Sequence, residues 1–115
     1  MEQNFTVDPK DAQDNKIMGI LAYFGILFLV PYLAAKESPF ARFHANQGCV
    51  LFIATIAIWI VAFIFALIPF IGWLFSILCY LLYLVIFVFA IIGIINAAKG
   101  EMKELPIIGK YSILK

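Results

Sequence analysis

Polar and apolar residues lie in long blocks along this chain rather than in the short alternations of a water-soluble fold. A polar, acidic lead occupies 1–16, with Glu2, Asp8, Asp11 and Asp14 set against Lys10 and Lys16. Nineteen uncharged residues follow at 17–35, bracketed by Lys16 and Lys36, and then a polar connector at 36–48. Beyond it, fifty consecutive residues, 49–98, carry no Asp, Glu, Lys, Arg or His. As one helix that run would measure about 75 Å, over twice the ~30 Å hydrocarbon core of a bilayer, so it must fold back on itself. Ile68-Pro69-Phe70-Ile71-Gly72-Trp73 supplies the break, because Pro and Gly end a helix and Trp favours the interface. The pattern predicts an all-α membrane protein with three transmembrane helices, at about 17–35, 49–68 and 72–98. The last two form a helical hairpin, and 1–16 is a surface lead without apolar periodicity.

Ser38-Pro39 is a helix start, with Ser as N-cap and Pro at the first helical position. A helix beginning there runs into the second span, so 36–48 is expected to be an interfacial helical extension. Pro31 is expected to kink or shorten the first span. The tail, 101–115, is too apolar for a free polar tail and too short to span; it is expected to rest in the interface, anchored by Tyr111 and its lysines.

Composition agrees with a lipid environment. Hydrophobic residues are 65% and charged residues 13% of 115, against about 45–50% and ~25% in a soluble domain. A soluble fold this small could not bury so much apolar surface. The net charge of +1 gives no reason to expect nucleic-acid binding. The start lacks the basic and short apolar regions of a cleavable signal peptide, so the first apolar segment is expected to be retained. Cys49 and Cys79 fall at different depths of the expected hairpin and read as small packing residues. With three spans, Lys10 and Lys16 lie on one side and six basic residues on the other. The positive-inside rule then places the N-terminus outside and the C-terminus in the cytoplasm, in a plasma (inner) membrane if the source is bacterial.

Candidate chemistry is sparse. One His excludes a His-His metal pair, and no carboxylate lies between Glu37 and Glu101. Phosphate loops, Cys-x-x-Cys and Ser/His/Asp arrangements do not occur. No catalytic residue, metal site or cofactor is expected, and no enzymatic activity. The one polar constellation is Arg42, His44, Asn46 and Gln47 at the mouth of the second span. It reads either as interfacial anchoring or as a site for a lipid headgroup or a partner. Small residues at helical spacing, Gly19, Ala22 and Gly25 and then Ala90, Gly93 and Ala97 with Asn96 beside them, read as helix-packing faces.

The stretch Ser38-Pro39-Phe40-Ala41-Arg42-Phe43-His44-Ala45-Asn46-Gln47-Gly48, with Ala97-Ala98-Lys99-Gly100 and Leu105-Pro106 downstream, resembles a family of small bacterial membrane proteins. Many members have no assigned function. The family is similar to the small membrane subunit of the chloroplast inner-envelope protein-import machinery. The resemblance implies no catalytic residue. It leaves two expectations: a non-enzymatic protein acting through helix contacts, as a homo-oligomer or beside other membrane proteins in the bilayer, or else a channel, carrier or translocation subunit.

Overall fold

The computed structural model describes residues 7–110. Two long helices dominate it: α4 (Pro39–Ala66) and α5 (Gly72–Ala98), each long and apolar enough to cross a membrane. Before them come α1 (Pro9–Asp14), α2 (Lys16–Leu21), a 3-10 turn (Gly25–Phe28) and α3 (Leu29–Ala34). No strand is present among these elements, and the all-α membrane architecture is as the sequence predicts.

The hairpin forms where expected. Ser38 accepts a hydrogen bond from the Ala41 amide at 3.0 Å, and Pro39 occupies the first turn of α4. The helix stops at Ala66, two residues before the expected limit, because a residue preceding proline resists helical geometry and Pro69 follows Ile68. Phe70 takes the left-handed conformation of the turn, at φ 72°, while Gly72 lets the chain pass the Phe65 carbonyl, which a Cβ would approach to 2.8 Å. Phe65 and Phe75 stack across the turn at 4.2 Å.

The segment 17–35, expected as a third span, is not one continuous helix. It descends as α2, bends at 22–24, and returns through the 3-10 turn and α3. Three-residue hydrogen bonds mark the bend, with Tyr23 N–H to Ile20 O at 3.3 Å and Phe24 N–H to Leu21 O at 3.1 Å. Gly25 follows in the left-handed region at φ 61°. Pro31 falls in the first turn of α3, where its missing N–H costs nothing. The segment doubles back on itself as a re-entrant loop against the hairpin, and in lipid such irregular backbone is tolerated only where protein encloses it. Here Ala22 is fully buried and Tyr23 nearly so. Two glycines of the spanning helices form their seat. A Cβ on Gly48 would overlap the Ala22 carbonyl, and one on Gly93 would overlap the Tyr23 ring.

The N-terminal lead also differs from expectation. Residues 9–14 form a helix capped by Asp8, whose side chain accepts from the Lys10 amide. Asp11 then reaches α4, accepting from Ser38 Oγ at 2.6 Å and from the Phe40 amide at 3.0 Å. Lys16 and Lys99 line one cavity together. The lead, the connector and the end of α5 therefore share one end of the hairpin. The three-span reading sets the lead apart from 36–48; in the structure Asp11 bonds directly to Ser38 and Phe40.

Candidate functional site

The polar constellation at the mouth of α4 divides in two. His44 and Gln47 point inward. Arg42 is exposed and Asn46 half-buried. At 28 residues α4 is about 42 Å long, so with Cys49–Ala66 filling most of the hydrocarbon depth, its first ten residues stand outside the spanning stretch.

His44 is fully buried and joins three parts of the chain. Its Nε2 lies 2.8 Å from the Glu101 backbone carbonyl. That oxygen can only accept, so Nε2 carries the proton. Nδ1 lies 2.6 Å from the Tyr23 hydroxyl and accepts from it. The rings of Phe40, Phe43 and Tyr23 meet the imidazole edge-on, with centroids 4.7, 5.2 and 5.6 Å away. Burial pushes His44 down from its ordinary 6.5 to about 4, and the hydrogen bond to the Glu101 carbonyl opposes this only in part. His44 is thus held neutral, with both nitrogens engaged.

The folded state therefore binds fewer protons at His44 than the unfolded chain. Stability should be flat above pH 7 and fall as pH drops through 6.5 toward 4. The full shift corresponds to about 3 kcal/mol. Thermal unfolding of the detergent-solubilised chain at pH 7.5 and 4.5 checks this, with Tyr23→Phe/His44→Leu as the variant in which this dependence should flatten.

Gln47 secures the tail. Its Nε2 donates to the Gly109 carbonyl at 2.8 Å, and its Oε1 accepts from the Leu105 amide at 2.9 Å. The tail turns through Ile107, at φ 67°, and closes with Gly109 N–H to Leu105 O at 3.0 Å. Leu105 and Met102 are buried beneath it. Residues 101–109 thus dock on the protein's own polar end instead of lying free in the interface; the expected anchor Tyr111 lies outside the described residues.

The small-residue faces are used within the chain. Gly19 is buried, and a Cβ there would come within 2.8 Å of the Phe40 ring and 3.2 Å of both Ala97 and the His44 ring. Ala22, Gly93 and Ala97 are buried in the same contact between the re-entrant loop and the hairpin. Ala90 borders it, and the buried Asn96 turns its backbone carbonyl to the Glu101 amide at 2.8 Å. Gly25 does not belong to that face: α2 ends before it, and it is exposed with open space where a Cβ would be. Sequence reasoning missed Tyr23, Gly48, Asp11, Leu105 and Gly109. Gly48, in the quoted motif, was the available signal, since a glycine where a spanning helix enters the bilayer allows close approach of backbone.

No group of three or more His, Cys, Asp or Glu converges among the described residues. The polar end is held by His44, Gln47 and the Asp11 carboxylate, whose partners are largely backbone.

A family model described as the magnetosome magnetite crystal formation protein family, MamF/MmsF, matches residues 14–112. The chain belongs to this family. Among similar proteins, the UPF0132 membrane protein MJ1443 of Methanocaldococcus jannaschii is 40% identical over 101 residues, 84% of this chain and 83% of that one. The magnetosome protein MamF of Paramagnetospirillum magneticum is 34% identical over 100 residues, covering 85% and 82%. MmsF of the same organism is 31% identical over 94 residues, covering 80% and 79%. No solved structure matches significantly. The family is one of small integral membrane proteins, as the connector motif suggested, but these relatives carry no link to a protein-import component. The matched region contains Tyr23, His44, Gln47, Gly48, Gly93, Glu101 and Gly109.

Proposed function

We propose that this chain is a non-enzymatic membrane protein that acts by lateral contact of its hairpin with a second copy of itself or with other membrane proteins. The carrying observation is how the two ends of the molecule differ. At the polar end, no buried side-chain nitrogen or oxygen among the described residues lacks a partner, and the small-residue contacts close within the chain. Toward the turn, α4 and α5 have no third helix beside them among the described residues. Trp59, Phe63 and Tyr80 are all at least 60% exposed there, and Trp59 and Phe63 stack on each other at 6.2 Å. Large aromatic side chains on an uncovered hairpin suit contact with lipid and with neighbouring helices.

The same reading gives a sidedness. Lys10, Lys16, Lys36, Arg42, Lys99, Lys103 and Lys110 belong to segments gathered at the polar end, and the turn at 67–71 contains no basic residue. The positive-inside rule then sets the polar end, with both ends of the described chain, in the cytoplasm. What the relatives named as magnetosome proteins do at that organelle extends to this chain only as this proposal: a small hairpin working beside other proteins in its bilayer.

A photo-crosslinker placed singly at Phe63 and at Tyr80 tests the lateral contact in intact membranes. Covalent dimers or adducts to other membrane proteins are expected from both positions, and intramolecular products alone from the buried Phe40. Lipid adducts alone from Phe63 and Tyr80 would contradict the proposal.

A further inference from the structure

Tyr32, Leu33, Lys36 and Arg42 line a cavity of about 420 Å³ between the returning arm of the re-entrant loop and the start of α4. Among the described residues neither Lys36 nor Arg42 forms an ion pair, and both are exposed. Glu37, next in sequence to Lys36, lines a different cavity beside Asp11 and Ser38, to which Lys36 also contributes. Two cations and a phenol around one hollow match a phosphate group. A guanidinium binds phosphate oxygens in pairs, and an ammonium adds a point charge. The surroundings specify a lipid phosphate over a free one. Ile26, Val30 and Leu33 are spaced by four and three along the returning arm, and all are exposed. Leu33 lines the cavity, and Val30 and Ile26 precede it along the arm, giving exposed apolar surface near the cations where an acyl chain can lie. Basic pockets of this kind at the cytoplasmic ends of membrane helices hold anionic headgroups.

We propose that Lys36, Arg42 and Tyr32 form a binding site for the phosphate of an anionic phospholipid, with its acyl chain along Ile26, Val30 and Leu33. The site is separate from the lateral contacts of the hairpin and does not depend on them. Of the expected constellation of Arg42, His44, Asn46 and Gln47, it uses Arg42, while His44 and Gln47 are buried.

Native mass spectrometry of the full-length chain in mild detergent, offered phosphatidylglycerol or phosphatidylcholine, tests the site. The wild type should retain phosphatidylglycerol in preference by about tenfold, and Lys36→Gln/Arg42→Gln should abolish the preference. Arg42→Lys should lose about threefold, because charge remains but the paired geometry does not. Lys99→Gln/Lys103→Gln, which alters the same charge count at the same end, should leave the preference intact. Equal loss in this second pair, retention in the first, or displacement of the lipid by millimolar inorganic phosphate would overturn the proposal. Helical circular dichroism confirms that each variant is folded, as expected for changes at exposed side chains.

Discussion

Replacing His44 with alanine should loosen the re-entrant loop and the tail together, at a cost of about 3–5 kcal/mol. The imidazole is fully buried against three aromatic rings, so its removal leaves a cavity at the centre of the polar end. It also strands two polar groups, the Tyr23 hydroxyl and the Glu101 carbonyl. Hydrogen exchange should rise both at 17–24 and at 101–109, although these segments are far apart in sequence. Tyr23→Phe is the informative comparison. It leaves the bond to Glu101 in place and unpairs only Nδ1, so it should cost about 1–3 kcal/mol and expose the loop while the tail stays protected. If His44→Ala leaves exchange at both segments unchanged, the imidazole is not the joint between them.

Gly48→Val should be nearly as damaging. A Cβ at this position overlaps the Ala22 carbonyl, and backbone on both sides leaves little freedom to yield. Overpacking of this kind costs about 1–3 kcal/mol or more. The re-entrant bend would be pushed off its seat, uncovering peptide groups that lipid cannot satisfy. Gly25→Ala serves as the contrast. Gly25 has open space around it and loses only its left-handed conformation, about 1–2 kcal/mol. The account therefore orders the two by crowding, Gly48 above Gly25, although Gly25 has the less usual backbone. Thermal unfolding midpoints of the purified variants in one detergent measure the order, and the reverse order would contradict it.

The hairpin was legible in the sequence because its signals are local. A charge-free run too long for one crossing, Ser38-Pro39 at its approach and Pro69 and Gly72 in its middle each act within a few residues. The re-entrant loop was not legible. Nineteen uncharged residues between two lysines have the length of a span, and what prevents 17–35 from being one lies elsewhere in the chain. Gly48 and Gly93 provide the seat, and Asp11 returns the lead to the start of α4. Asp11 alone reads as a solvated carboxylate; its partners Ser38 and Phe40 lie 27 and 29 residues away. Small residues admit close approach, and in the structure Gly19, Ala22, Gly93 and Ala97 are buried in one contact. Their partner is this chain itself. Gln47 shows the same limit: a polar residue at a span mouth gives no sign that the backbone it holds is 58 and 62 residues further on.

We propose that the lead, the connector and the tail occupy one end of a two-helix hairpin, with 17–35 entering and leaving the membrane on the same side. Single cysteines at Gln13, Lys36, Lys103 and Phe70, in a chain whose Cys49 and Cys79 are replaced by serine, test it through labelling of intact cells with a membrane-impermeant thiol reagent. The account predicts that positions 13, 36 and 103 stay unlabelled until the cells are opened, while position 70 reacts from outside. Labelling of position 13 from outside with position 36 protected would mean that 17–35 crosses the bilayer, and the shared polar end would not exist.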